Sequence, residues 1–137
     1  MRVVVDTNVV AYFLLGTEEF RDECERFWRK VRTPIAPASW EAEITNVLWM
    51  ATRKGILDLP EALHRIELVR ALGIQSVSVS SLWAGALARA HSSGIAAYDT
   101  LFVELADREQ VPLATFDGPV INAFPLIAMH PRACRPG

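Results

Sequence analysis

The chain has 137 residues, 14 Lys and Arg against 16 Asp and Glu, and a formal charge of −2. That length suits one domain, and its 51% hydrophobic content supplies a sizeable core, which excludes a disordered chain, since disorder needs low hydrophobicity and high net charge. The near-neutral balance excludes a protein that holds nucleic acid chiefly by bulk positive charge, though not one that does so through local contacts.

Arg2-Val3-Val4-Val5 is a short β-branched run that stops at Asp6, the pattern of a buried strand. Residues 9–15 read as a helix ended by Gly16. The apolar stretch 3–15 is interrupted by Asp6, Thr7 and Asn8. It is too short for the roughly 18 apolar residues of a membrane span, and with no small-residue cleavage site behind it, it does not read as a signal peptide. Residues 17–32 form a second, charged helix with Phe20, Cys24, Phe27, Trp28 and Val31 at helical spacing. Residues 33–37 suit a strand, 39–54 a helix closed by Gly55, and 60–72 a helix with Pro at its start and Gly73 at its end. Residues 75–79 alternate as a strand does, and 80–91 form a helix that Ser80 can cap. A helix at 99–109, a strand at 111–115 and a last strand at 126–129 complete the order. Cys24 and Cys134 match no metal or redox spacing and read as a buried thiol and a tail thiol in a reducing compartment. The expectation is one cytoplasmic domain over residues 1–130, with a mobile tail at 131–137 and no membrane association.

Strands alternating with helices imply a three-layer α/β domain with a mostly parallel sheet of four to five strands. Sites in such sheets lie in the crevice outside the carboxyl ends of the strands. Asp6 directly follows the first strand, and Asp117 lies two residues past the strand at 111–115, so both point into that crevice. Asp99 opens a helix after the loop 92–98, where backbone N–H groups stabilise an anion; on helix grammar alone it reads first as a plain N-cap. On the helix 39–54, Glu41 and Glu43 lie about 200° apart at about 100° per residue. They flank the apolar stripe of Trp40, Ile44, Val47, Leu48 and Ala51, and periodicity does not choose between them. Gathered carboxylates raise one another's pKa unless a cation sits among them. Oxygen ligands without Cys or His suit Mg²⁺ or Mn²⁺, ions that assist phosphate-ester chemistry. Setting four such acids aside leaves 14 basic residues against 12 acidic, so the acidic surplus resides in the proposed site.

Val3-Val4-Val5-Asp6-Thr7-Asn8-Val9 resembles the start of the PIN-domain ribonucleases, especially the VapC-type toxins of toxin–antitoxin pairs. Glu43-Ile44-Thr45-Asn46-Val47-Leu48 is similar to a second motif of that family and selects Glu43 over Glu41. Tyr98-Asp99-Thr100-Leu101-Phe102-Val103-Glu104-Leu105-Ala106 resembles the third, and Leu113-Ala114-Thr115-Phe116-Asp117 the last, all in order. The resemblance implies an α/β/α PIN domain acting as a metal-dependent endoribonuclease. Asp6, Asp99, Asp117 and Glu43 would bind Mg²⁺ or Mn²⁺ and carry catalysis. Thr7, Asn8 and Thr115 would hold those carboxylates in place. Water would attack the phosphodiester in line, leaving 5′-phosphate and 3′-hydroxyl ends. The implied partners are an RNA substrate, a cognate VapB-type antitoxin and a second copy in a homodimer.

Three other readings compete. A haloacid-dehalogenase type Mg²⁺-dependent phosphatase needs a second Asp where this chain has Asn8. A phosphorylation receiver needs a Lys that Phe116-Asp117-Gly118 does not supply. A catalytically idle PIN-like module that binds RNA or protein would not need four intact acids. His64, His91 and His130 read as surface or capping residues, and the tryptophans as packing residues. Trp49 is the exception, falling opposite its helix's apolar stripe, where either an interface or a covering helix would account for it. Arg53, Lys54, Arg65 and Arg70 could line an RNA path, with a solvated face as the default, and Arg132 and Arg135 fall in the tail.

Overall fold

The computed structural model describes residues 1–135. Among these, five strands form one sheet: β1 (Arg2–Val5), β2 (Thr33–Pro37), β3 (Gln75–Val77), β4 (Leu113–Ala114) and β5 (Ala128–Met129). Their order is β3-β2-β1-β4-β5, and every pairing is parallel, with Val4 beside both Ile35 and Leu113. Seven helices surround it: α1 (Thr7–Leu15), α2 (Arg21–Lys30), α3 (Ser39–Arg53), α4 (Leu59–Ala71), α5 (Trp83–Ser93), α6 (Ala97–Glu109) and α7 (Gly118–Ala123). This is a three-layer α/β/α fold.

The centre of the sheet sits where the sequence is most β-branched. Val3, Val4 and Val5 are fully buried, as a central parallel strand covered on both faces requires. α6 packs directly on β1, β2 and β4, while α1 packs against α2, α3 and α4. Phe27, Phe102, Leu105 and Leu113 fill the space between. α1 ends at Gly16, whose φ of 62° is open to glycine at little cost. α4 starts with a reciprocal capping box between Asp58 and Glu61. Among the described residues no helix is long and apolar enough to cross a membrane.

Several elements differ from the sequence expectation. The helix expected over 17–32 starts only at Arg21, after a 3₁₀ turn at Glu18–Phe20. Phe20 leaves helical geometry there and stacks on Tyr12 with 4.4 Å between ring centroids. Ser80 does not cap α5: its hydroxyl pairs with that of Ser78 at 2.8 Å, and the helix begins after Leu82, which is buried in the core. The strands at 75–79, 111–115 and 126–129 are shorter than expected. α7 falls outside the expected set of helices, although Asp117 caps it and Pro119 sits in its first turn. The tail expected from residue 131 begins as a packed turn, Pro131–Ala133, against α2. Cys134 is fully buried rather than a tail thiol, and its carbonyl accepts a hydrogen bond from Lys30 Nζ at 3.1 Å. Residues 136–137 of that expected tail lie outside the described residues.

Candidate active site

Because all five strands run the same way, the segments that leave their carboxyl ends meet at one edge of the sheet. The first is Asp6, which follows β1 and caps α1. Its side chain is buried at 6% exposure, and its Oδ1 accepts the Thr7 N–H at 2.7 Å. Oδ2 accepts the Thr115 hydroxyl at 2.7 Å and the Asn8 amide at 3.4 Å. Asn8 then bridges the ends of β1 and β4: its Nδ2 donates to Thr115 Oγ1 at 3.2 Å and its Oδ1 accepts the Phe116 N–H at 3.2 Å. Thr115 Oγ1 also accepts the Asp117 N–H at 3.0 Å. A fully buried threonine hydroxyl thus fixes both the first acid and the backbone of the last.

Asp117 caps α7, its Oδ1 accepting the Val120 N–H at 3.2 Å. Asp99 does not cap α6, in contrast to the sequence expectation. Ala96 occupies the cap position and Asp99 stands within the first turn. The turn is held from the other side, where the buried Thr100 hydroxyl donates to the Ala86 carbonyl at 2.7 Å. The two glutamates of α3 separate cleanly. Glu41 Oε1 accepts the Ser76 hydroxyl at 2.7 Å, and Ser76 accepts the Trp40 indole N–H at 2.8 Å, out on the β3 side. Glu43 is half-buried toward Asp6 and Asp99, and its Oε1 is buried without a hydrogen-bond partner.

The electrostatics follow from this placement. Burial, with Asp99 and Glu43 nearby, pushes the Asp6 carboxyl up to about 7 against the pull of the Thr115 and Thr7 hydrogen bonds. Burial raises Glu43, and the charge of Asp99 adds to it. The Thr7 hydroxyl nearby offsets part of that rise without closing a hydrogen bond of normal geometry. Asp99 is raised by burial and by Asp117. Four carboxylates from four elements therefore share one crevice, where burial and neighbouring acids disfavour the charge of Asp6, Glu43 and Asp99.

Among the described residues no three His, Cys, Asp or Glu side chains already close around one point. Mg²⁺ does not require that, because it keeps several waters and is held by one or two carboxylates. The donor set fits such an ion: it is all oxygen, and it includes two buried oxygens without partners, Glu43 Oε1 and Thr7 Oγ1. Buried polar groups left in that condition call for a ligand or a functional reason.

Of the four basic residues proposed to line an RNA path, three are engaged elsewhere and Lys54 is exposed. The Arg53 guanidinium lies over the Trp49 ring at 5.1 Å, Arg65 donates to the Leu14 carbonyl, and Arg70 pairs with Glu67 at 3.6 Å. Trp49 is 51% exposed, so no neighbouring helix covers it among the described residues, and Trp83 of α5 is 63% exposed, against the expectation that it packs. Sequence reasoning also missed a half-buried aromatic row beside the acids: Tyr12, Phe20, Phe116 and His130. Its signal was weak, since Tyr12 lies one helical turn beyond Asn8 but Phe20 and His130 are remote in sequence.

Oxygen-only acids gathered at the carboxyl edge of a parallel sheet equip a protein for metal-assisted work on phosphate esters. The PIN domain family model matches residues 3–120, and the chain belongs to that family, in its VapC-type branch. It is 30% identical over 131 residues to Ribonuclease VapC3 of Pyrobaculum aerophilum, an alignment covering 93% of this chain and 98% of that protein. It is 32% identical over 126 residues to Ribonuclease VapC3 of Mycobacterium tuberculosis, with 90% and 88% covered. That membership sets aside the phosphatase and receiver readings.

Proposed function

We propose that this chain is an endoribonuclease that hydrolyses RNA phosphodiester bonds with Mg²⁺ or Mn²⁺, and that it is the toxin of a VapBC-type pair in the cytoplasm. The observation that carries the reading is the convergence of Asp6, Glu43, Asp99 and Asp117 in one crevice, with Asp6 buried and no cationic side chain bonded to it. Asp6 and Asp99 would be the principal ligands, with Asp117 and Glu43 completing the set. A bound divalent ion would lower the pKa of a coordinated water and screen the phosphoryl oxygens. The chain supplies the rest. Thr115, Asn8 and the Thr7 N–H hold the Asp6 carboxylate in one orientation. The unpartnered Glu43 Oε1 is placed to accept a proton from an attacking water. Burial of the acids keeps the site preorganised.

Two separate exposed apolar faces support the two protein partners. Trp49 and Met50 of α3 with Leu59 and Leu63 of α4 offer one face to an antitoxin. Trp83 and Leu87 lie one turn apart on α5, with Ala84 and Ala88 exposed beside them, and small residues of this kind let a helix of a second copy approach closely. The deciding experiment is cleavage of single-stranded RNA. Activity should require Mg²⁺ or Mn²⁺, vanish in EDTA and return on adding either ion. Cleavage that survives EDTA, or an inactive but folded protein in both ions, would overturn the assignment and favour an RNA- or protein-binding module.

A further inference from the structure

We propose that the groove between α2 and the turn after β5 is a phosphate-binding subsite that holds single-stranded RNA as it leaves the acid crevice. The proposal rests on the ribonuclease reading and adds a path for the substrate. The groove has a volume of about 320 Å³ and is lined by Glu23, Arg26, Phe27, Lys30, Pro131 and Arg132. Its place follows from topology. β5 is parallel to β4, so His130, which follows β5, stands at the same carboxyl edge as Asp6 after β1. The turn Pro131–Ala133 then lies against α2. The chain descends along that helix until Lys30 Nζ meets the Cys134 carbonyl. The groove thus starts at the rim of the crevice and runs away from it.

Its charge is the reverse of the crevice's. Three of the lining side chains are cationic and one is acidic. Arg2, Arg29, Arg70, Arg89 and Arg108 are each paired with a carboxylate. Among the described residues Arg26, Lys30 and Arg132 belong to the cations without a carboxylate partner, as do Arg21, Arg32, Arg53, Lys54, Arg65 and Arg135 elsewhere. Arg26 and Arg132 are exposed, and a free guanidinium presents a fork that fits phosphate oxygens. The acidic Glu23 lies 3.2 Å from His130 Nε2 without closing a hydrogen bond of normal geometry, so its Oε2 is buried without a partner and it is the one charge in the groove that opposes a phosphate.

An aromatic row joins the two regions. Phe116, whose N–H is held by Asn8 next to Asp6, contacts Tyr12 and Phe20 at 5.2 and 4.8 Å between centroids, and His130 meets Phe116 edge-on at 4.9 Å. Partly exposed aromatic rings leading into unpaired cations are what a sequence-tolerant single-strand track requires, because every base can stack and every nucleotide carries a phosphate. A chain of net charge −2 gains RNA affinity from cations grouped along the path.

Binding of a single-stranded RNA of about 12 nucleotides, measured by fluorescence anisotropy in EDTA so that nothing is cleaved, tests this directly. Arg26→Ala/Arg132→Ala should weaken binding about five- to tenfold. It should also flatten the dependence of log affinity on log salt by about 0.7 for each phosphate no longer neutralised. Arg26→Lys/Arg132→Lys should keep the slope, and Glu23→Gln should tighten binding. Cleavage of a trinucleotide in Mg²⁺, too short to leave the crevice, should be the same in all three variants. Unchanged RNA affinity and slope in the folded Ala variant overturns the subsite, including the case in which that variant instead loses an acidic protein partner. Loss of trinucleotide cleavage in wild-type protein would count against the ribonuclease reading and leave the binding result to decide the groove.

Discussion

Two groups of acids are buried against the same helix, α6, and they are treated in opposite ways. Glu104, in its middle, is compensated on both oxygens. Arg89 Nε donates to Oε1 at 3.0 Å and Arg108 Nε to Oε2 at 2.8 Å, while Arg89 also reaches Asp107 at 2.6 Å. Gly85 of α5 completes the fit, since a Cβ there would collide with the Glu104 carboxyl group. At the head of the helix, Asp99 faces Asp6, Glu43 and Asp117, and among the described residues no arginine or lysine is bonded to any of them. The first group closes a helix–helix contact. The second leaves charge uncompensated, and burial and mutual repulsion raise the pKa values of Asp6, Glu43 and Asp99. A buried acid that the fold neutralises is structure, whereas buried acids that the fold leaves in conflict mark where a cation belongs.

The comparison breaks most sharply when one acid of each group is removed. Asp6→Asn or Asp99→Asn should abolish RNA cleavage, at least about a thousandfold in kcat, while melting at neutral pH stays equal to or above that of the parent. Full activity of both variants in Mg²⁺ would sink the site. Glu104→Ala should do the reverse, keeping the cleavage chemistry but costing about 2–3 kcal/mol of stability. Arg89 then keeps only Asp107 and Arg108 loses its carboxylate partner, and the partial exposure of both arginines moderates the penalty. Gly85→Ala should cost about 1–3 kcal/mol by overpacking. The double variant Gly85→Ala/Glu104→Ala should cost less than the sum, because the collision partner is gone. Additive losses in urea denaturation would show that the two residues are not coupled.

Much of this division is legible in the sequence where local rules suffice. The valine run of β1, the Gly16 stop and the strand at 33–37 stand as the sequence predicts, and the carboxyl-edge rule picks out Asp6, which directly follows β1, and Asp117, which lies just past β4. What is not legible depends on partners distant in sequence. Helical spacing leaves Glu41 and Glu43 symmetric about the α3 stripe, and only the Ser76 hydroxyl on β3 and the burial beside Asp6 distinguish them. Asp99 looks like a cap as long as α6 is taken to start there. Thr100 bonding to the α5 backbone and Ala96 at the cap extend the helix backward. Cys134 reads as a tail thiol until α2 covers it. The Glu104 cluster offers no signal, since a Glu with Arg four residues on is an ordinary exposed pair unless a glycine on another helix lets it sink.

The pH response sharpens the contrast. Asp6 titrates near 7 in the folded metal-free protein against 3.8 for the free side chain, so the fold binds its proton more tightly than the unfolded chain does. The stability this contributes is complete below about pH 4 and is lost as pH rises through about 7. At about 1.36 kcal/mol per unit it amounts to as much as about 4 kcal/mol, and Glu43 and Asp99 shift in the same direction. In EDTA the melting temperature should therefore fall between pH 5 and 8. Asp6→Asn should flatten that fall, and saturating Mg²⁺ should oppose it by binding the ionised acids. A metal-free melting profile that rises with pH over this range would contradict the burial of an uncompensated Asp6.

The smallest expected effect separates the two glutamates of α3. Glu43→Gln keeps the size of the side chain but removes the carboxylate whose buried oxygen lacks a partner, so cleavage in Mg²⁺ should fall by about 10- to 100-fold, the scale of losing one general base or one outer ligand. Glu41→Gln keeps an oxygen that can still accept the Ser76 hydroxyl, on an exposed surface away from the crevice, and should change cleavage by less than about twofold. The metal requirement refines the result. If Glu43 acts mainly as a ligand, raising Mn²⁺ should restore much of the lost rate. If it acts mainly by accepting a proton from water, raising Mn²⁺ should not, and the pH profile of kcat should instead lose its acidic limb. A greater loss in Glu41→Gln than in Glu43→Gln would move the fourth acid to the β3 side of α3, where its carboxylate is already paired with Ser76 and no longer resembles the uncompensated group at the head of α6.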